Sequence, residues 1–234
     1  MTNASTSTSP STTTPAAIAP SGGGSGVPGP RTAVFLEWSL AGLAVPPLAI
    51  LPHELGHYLV LLAMDVPNPA MHYATVSWDS REFWEAVRRE DYATAADIAP
   101  IWGVALSLAA GPLVSYAMVA GCCYGCVRWR PYAVLVAVGY ACPLRLFVGV
   151  QHGVLVLLGG DPPANYDEAR VAELTGIPVQ VLVGFGVAVI CISGAWLARY
   201  LPRGRRALAV ASMLMGAIFS AVLYFRYVGP WLLP

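Results

Sequence analysis

His53-Glu54-Leu55-Gly56-His57 holds the residues of this chain best suited to chemistry. Two histidines four apart stand on one face of an α-helix, one turn above the other. That spacing lets two imidazoles grip one tetrahedral Zn²⁺ from a single helix. Glu54 between them is placed to take a proton from a metal-bound water. An HExxH pattern also arises by chance, mostly on solvated helices. Here Leu48-Ala49-Ile50-Leu51 precedes it and an almost wholly apolar run from Tyr58 to Met64 follows. Two histidines and a carboxylate in lipid are hard to stabilise without a metal or a partner. Half of the chain's 4 histidines lie in this motif. The metal-site reading is therefore preferred.

A catalytic zinc takes three protein ligands and keeps one position open, and the motif supplies two. The third must come from elsewhere. Asp161 lies between Gly159-Gly160 and Pro162-Pro163, where a turn role is natural. Asp167 opens a segment of helical character, Asp167 to Leu174, where an N-cap role is natural. His152 lies inside an apolar run, on one face with Arg145. Arg145 serves as readily in a structural ion pair as in catalysis. Arg170 is placed to hydrogen-bond a ligand carboxylate. His72 reads as a surface residue, having no partner at ligand spacing.

The elements that position these residues are membrane elements. Of 234 residues 56 % are hydrophobic and only 11 % charged, against about 25 % charged in a soluble domain. The expected fold is an all-α polytopic membrane protein. Residues 1–30 hold Ser, Thr, Pro, Gly and Ala without an aromatic side chain. They cannot bury a core and are expected to be a disordered tail, with the membrane-embedded domain spanning 31–234. Ala33 to Met64 is one apolar element broken or kinked near Pro46-Pro47 and Pro52, and Pro52 could start the motif helix. Pro100–Val127, Pro131–Leu158, Pro178–Leu201 and Ala207–Val228 each exceed the roughly 20 residues needed to cross. About five spans are thus expected. Between the first and second, Met71 to Trp78 predicts a short strand. Asp79 with Glu82 predicts a capping box opening an amphipathic helix to about Tyr92, suited to the membrane interface. Gly103, Ser107, Gly111 and Ser115 recur at four-residue spacing and permit close helix packing.

The five cysteines lie in apolar runs and read as small buried hydrophobes, with no disulfide assigned. All 13 basic residues are arginine and the net charge is zero, so no field draws nucleic acid. With five spans, His53, His57, His152 and the 161–170 loop fall toward one membrane side, and one metal site can gather them. Arginine counts on the two sides favour a cytoplasmic N-terminus.

HELGH in an apolar helix, then Ala110-Gly111-Pro112, then an Asp-containing segment before a later helix resembles the site-2 protease family of intramembrane zinc metalloproteases. The resemblance covers roughly residues 45–175. It implies His53, His57 and Asp167 as zinc ligands and Glu54 as base. Asp167-Glu168-Ala169-Arg170 stands where the family has Asp-Gly-Gly-Arg, and Ser115 stands where it commonly has Asn. The family's strand after its first helix pairs with unwound substrate, and residues 71–78 correspond to it. The family's site lies near the cytoplasmic face, opposite to the arginine count, so orientation stays open.

The expected function is zinc-dependent hydrolysis of peptide bonds in membrane-protein or peptide substrates, by a multi-pass protein of the cell membrane. The lipid bilayer is then a partner and nucleic acid is not. A catalytically inactive relative that binds or regulates membrane partners is the alternative. A metal carrier should show several carboxylates or histidines along a path, and only Arg145 and His152 stand out beyond the motif.

Overall fold

The computed structural model describes residues 30–129, 132–141, 151, 154–155 and 166–233. It is helical apart from one small sheet among these residues. Helix α1 (Arg31–Leu43) leads into α2 (Val45–Ala63). Strands β1 (Ala70–His72) and β2 (Thr75–Ser77) follow, then α3 (Arg81–Arg88) and α4 (Tyr92–Ile98). Helix α5 (Ile101–Arg128) is the longest, and α6 (Ala133–Ala141) comes next. After the undescribed stretch come α7 (Asp167–Thr175), α8 (Val179–Leu197) and α9 (Arg206–Leu223). A π-helical turn, Tyr224–Val228, joins α9 to α10 (Gly229–Leu232).

Four helical stretches are long and apolar enough to cross a membrane: Arg31–Ala63, Ile101–Arg128, Val179–Tyr200 and Arg206–Leu232. They correspond to the expected first, second, fourth and fifth spans. Of the expected third span, α6 is described and most of the remainder, including Arg145 and His152, lies outside the described residues.

The prolines act one turn earlier than the sequence suggested. Helix α2 starts at Val45 with Pro46 and Pro47 in its first turn, and Pro52 lies inside it, so Pro52 does not open the motif helix. Pro47 has no N–H, which leaves the carbonyl of Leu43 without its helical donor. The hydroxyl of Ser220 on α9 donates to that carbonyl at 2.6 Å. The break between α1 and α2 is thus satisfied from a neighbouring helix. Helices α1 and α9 approach closely: a Cβ at Gly42 would overlap the carbonyl of Met213, and one at Gly216 the carbonyl of Ser39.

The polar insertion differs in three details. The expected single strand is a hairpin, with Ala70 opposite Ser77 and His72 opposite Thr75. The expected capping box does not form: α3 begins after Ser80 without a side-chain cap. It also ends early, at Arg88. Glu90 turns left-handed (φ 59°), while Asp91 N–H reaches Ala86 O at 3.0 Å and Glu90 N–H reaches Val87 O at 2.9 Å. That is a Schellman stop with Glu in the place glycine usually takes. Asp91 then caps α4 through Thr94 N–H at 3.1 Å.

The apolar face of α3 is covered by protein. Phe83, Ala86 and Val87 pack with Leu61 of α2, Ala95 of α4 and Val104 of α5. Full burial of Phe83 alone stabilises by roughly 1.5–3 kcal/mol. This cluster fixes the insertion to the ends of α2 and α5, beside the histidines. A second cluster around Trp38, Val136, Leu197 and Met213 joins α1, α6, α8 and α9.

Candidate metal centre

Helix α5 carries the row Gly103, Ser107, Gly111, Ser115, and all four are buried. The row faces α2 at the depth of the motif. Gly103 meets Met64. Ser107 donates its hydroxyl to His57 O at 3.0 Å. Its carbonyl accepts from His57 Nδ1–H at 2.7 Å. Gly111 leaves the room that the two imidazoles fill: a Cβ there would overlap His57 Nε2 and stand 2.8 Å from His53 Cε1. Ser115 donates its hydroxyl to Gly111 O at 3.1 Å and offers a lone pair to His53 Nδ1, 3.0 Å away. The close approach needs a second glycine, Gly56 of α2. A Cβ on it would lie 3.0 Å from Ala110 O.

These partners set the tautomers. A carbonyl only accepts, so His57 carries its proton on Nδ1. Ser115 sends its one proton to Gly111, so His53 also presents Nδ1–H to it. Both Nε2 lone pairs then face inward, 3.1 Å apart. Asp167 at the start of α7 brings Oδ2 to 3.4 Å from His53 Nε2 and 3.6 Å from His57 Nε2. Three acceptor atoms converge on one point.

The separations discriminate between two ways of reconciling them. An N–H···O hydrogen bond spans about 2.7–3.2 Å, so Asp167 stands too far from either ring for a good one. Two ligands of a tetrahedral ion with bonds of about 2.0–2.1 Å lie about 3.3 Å apart. The three observed edges, 3.1, 3.4 and 3.6 Å, bracket that value. The donor set, two imidazoles and one carboxylate, is one that zinc accepts. His53, His57 and Asp167 thus fit a metal ion, and they are the one such group among the described residues.

A cavity of about 440 Å³ opens beside the three. Glu54 lines it from α2, Ala74, Thr75 and Val76 from the hairpin, Trp84 from α3 and Arg170 from α7. The Arg170 guanidinium lies 4.9 Å over the Trp84 ring, a cation–π contact that ties α7 to the insertion. Arg170 therefore shares the cavity with Asp167, one helical turn on. His72 bonds Ser77 Oγ across the hairpin at 3.0 Å and is not among the cavity's lining residues. Asp161, His152 and Arg145 lie outside the described residues. The described cysteines 122, 123, 126 and 191 are all free thiols.

From spacing alone the small-residue row implies only close helix packing. It is packing and also the outer support of both histidines. The four-residue spacing in step with His53 and His57 was the available signal. The support of His57 by a backbone carbonyl left no side-chain signal at all.

Comparisons with protein-family models, with curated proteins and with solved structures find no match for this chain.

Proposed function

We propose that this chain is a zinc-dependent membrane peptidase, in line with its resemblance to the site-2 proteases. The observation that carries the reading is the His53–His57–Asp167 triangle with Glu54 in the adjoining cavity. Structural zinc sites close with four protein ligands, whereas catalytic ones keep a side open. Here three donors gather among the described residues, and the cavity lies beside them.

The ion, when held by these residues, would supply positive charge to polarise a scissile carbonyl. The remaining work belongs to the protein. Nδ1 of each histidine, held by Ser107 and Ser115, aims Nε2 of both rings toward Asp167. Glu54 accepts a proton from the attacking water and passes it to the leaving amide nitrogen. Among the described residues strand β2 pairs with β1 alone, and it borders the cavity, so an extended peptide can lie along it. Peptides that reach this site from the bilayer must unwind first, because lipid favours helical backbone. The substrate class is therefore a membrane-protein segment or apolar peptide, and the location is a membrane, by the same reading the cell membrane.

The test uses purified full-length protein in lipid vesicles with an apolar fluorogenic peptide. Hydrolysis should stop with a chelator, return with one equivalent of zinc, and be absent in His53→Ala. Zinc binding without hydrolysis of any peptide would favour the inactive, partner-binding alternative.

A further inference from the structure

The hairpin that borders the cavity turns through Tyr73-Ala74. Two-residue hairpin turns normally need positive φ, supplied by Asn-Gly or Asp-Gly. Neither Tyr73 nor Ala74 has it. The turn is held from outside. Tyr73 N–H donates to Leu233 O at 3.3 Å, and the Tyr224 hydroxyl donates to Tyr73 O. Its ring lies edge-on to Tyr224 and Phe225, with centroids 6.0 and 6.3 Å away.

The π-helical turn makes this grip possible. Tyr224 and Gly229 are buried, while residues 225–228 between them are exposed. Gly229 N–H bonds to Tyr224 O, five residues back. That spacing stacks Gly229 under Tyr224, where an α-helical turn would bring Val228. Only glycine fits there: a Cβ would overlap the Tyr73 ring and lie 2.8 Å from Tyr224 O. Tyr224, Phe225, Gly229 and Leu233 of the C-terminal segment thus converge on one residue of the hairpin.

We infer that the C-terminal segment is a clamp in which Tyr224, Gly229 and Leu233 hold Tyr73 and so position the β2 wall of the cavity for substrate. These are positioning residues, since none of them lines the cavity. The clamp itself stands on geometry, and its effect on substrate rests on the hydrolytic reading above. Loss of the clamp should leave the metal group intact, because the supports of His53 and His57 come from α5. It should loosen residues 70–78 and weaken the hold on peptide more than the chemical step.

Tyr224→Phe removes the hydroxyl alone, and Gly229→Ala pushes a methyl group into the Tyr73 ring. Both are made in the full chain and loaded with zinc. Hydrogen exchange across residues 70–78 should rise about twofold to tenfold, the range for one net hydrogen bond. Zinc content and exchange in α2 should match the wild type. For a cleaved peptide, KM should rise by a similar factor, with kcat within about twofold. Unchanged exchange at 70–78 in Tyr224→Phe overturns the clamp, as does loosening of the hairpin together with loss of zinc. An unchanged KM with a looser hairpin overturns the positioning role. Where the wild type cleaves no peptide, the hydrolytic reading fails, and the exchange measurement still decides the clamp.

Discussion

Gly111→Ala puts a methyl group where the two imidazoles meet. The added carbon would overlap His57 Nε2, lie 2.6 Å from His57 Cε1 and 2.8 Å from His53 Cε1. Neither ring can retreat freely, because Nδ1 of each is held to α5 at 2.7 and 3.0 Å. Either the rings leave their bonds or α2 and α5 separate. Overpacking of this kind costs about 1–3 kcal/mol. Charged against metal binding, that is roughly 5- to 150-fold in affinity. The upper end is expected, since both candidate histidine ligands would be displaced at once. Gly121→Ala on the same helix is the control: nothing lies within 4 Å of its Cβ position. Alanine there should be neutral or stabilise by roughly 0.5–1 kcal/mol. The assay is zinc titration of each purified variant in detergent with a competing chelator, beside thermal melting. Wild-type zinc affinity in Gly111→Ala would refute the packing argument and the placement of both rings.

Ser115→Ala removes the acceptor of His53 Nδ1–H at 3.0 Å, and outer supports of this kind are worth about 10- to 100-fold in metal affinity. The same competition titration reads it, and unchanged affinity would mean that His53 is oriented by something else. Asp91 accepts from the Thr94 hydroxyl at 2.6 Å and from Thr94 N–H at 3.1 Å, and these bonds hold its carboxyl below the usual carboxylate range. A group depressed in the folded state stabilises above its unfolded pKa, about 3.9, and loses that contribution as pH falls through the lower folded value. Thermal melts from pH 5 to pH 2 should therefore fall more steeply in the wild type than in Asp91→Asn, and parallel curves would remove Asp91 from the account.

Much of the fold was legible because apolar length is a strong signal. The long runs after Pro100, Pro178 and Arg206 became helices close to the expected bounds. The finer elements depended on tertiary context. Glu90 stops α3 in a left-handed conformation that sequence reasoning reserves for glycine, so the helix was expected to run on to Tyr92. Tyr73-Ala74 lacks turn chemistry, and the hairpin forms under contacts from Tyr224, 151 positions along the chain, and from Leu233. Of the candidate site, His53, His57 and Glu54 followed from spacing alone. Asp167 came from the resemblance, and the structure places it 3.4 and 3.6 Å from the two rings. Gly111 stood in the motif as a letter, and its physical reason, room for two imidazoles, shows only once α2 and α5 are packed.

The central claim is that Glu54 moves protons at a metal site that it does not itself form. Glu54→Gln keeps the size of the side chain and removes its basicity. Zinc content and peptide hydrolysis are measured on the same preparations of this variant and the wild type in lipid vesicles. Zinc should stay at one equivalent in both, while hydrolysis falls by about 10²- to 10⁴-fold, the usual contribution of a general base. Undiminished cleavage by Glu54→Gln, or a wild-type protein that holds no zinc, would contradict the account.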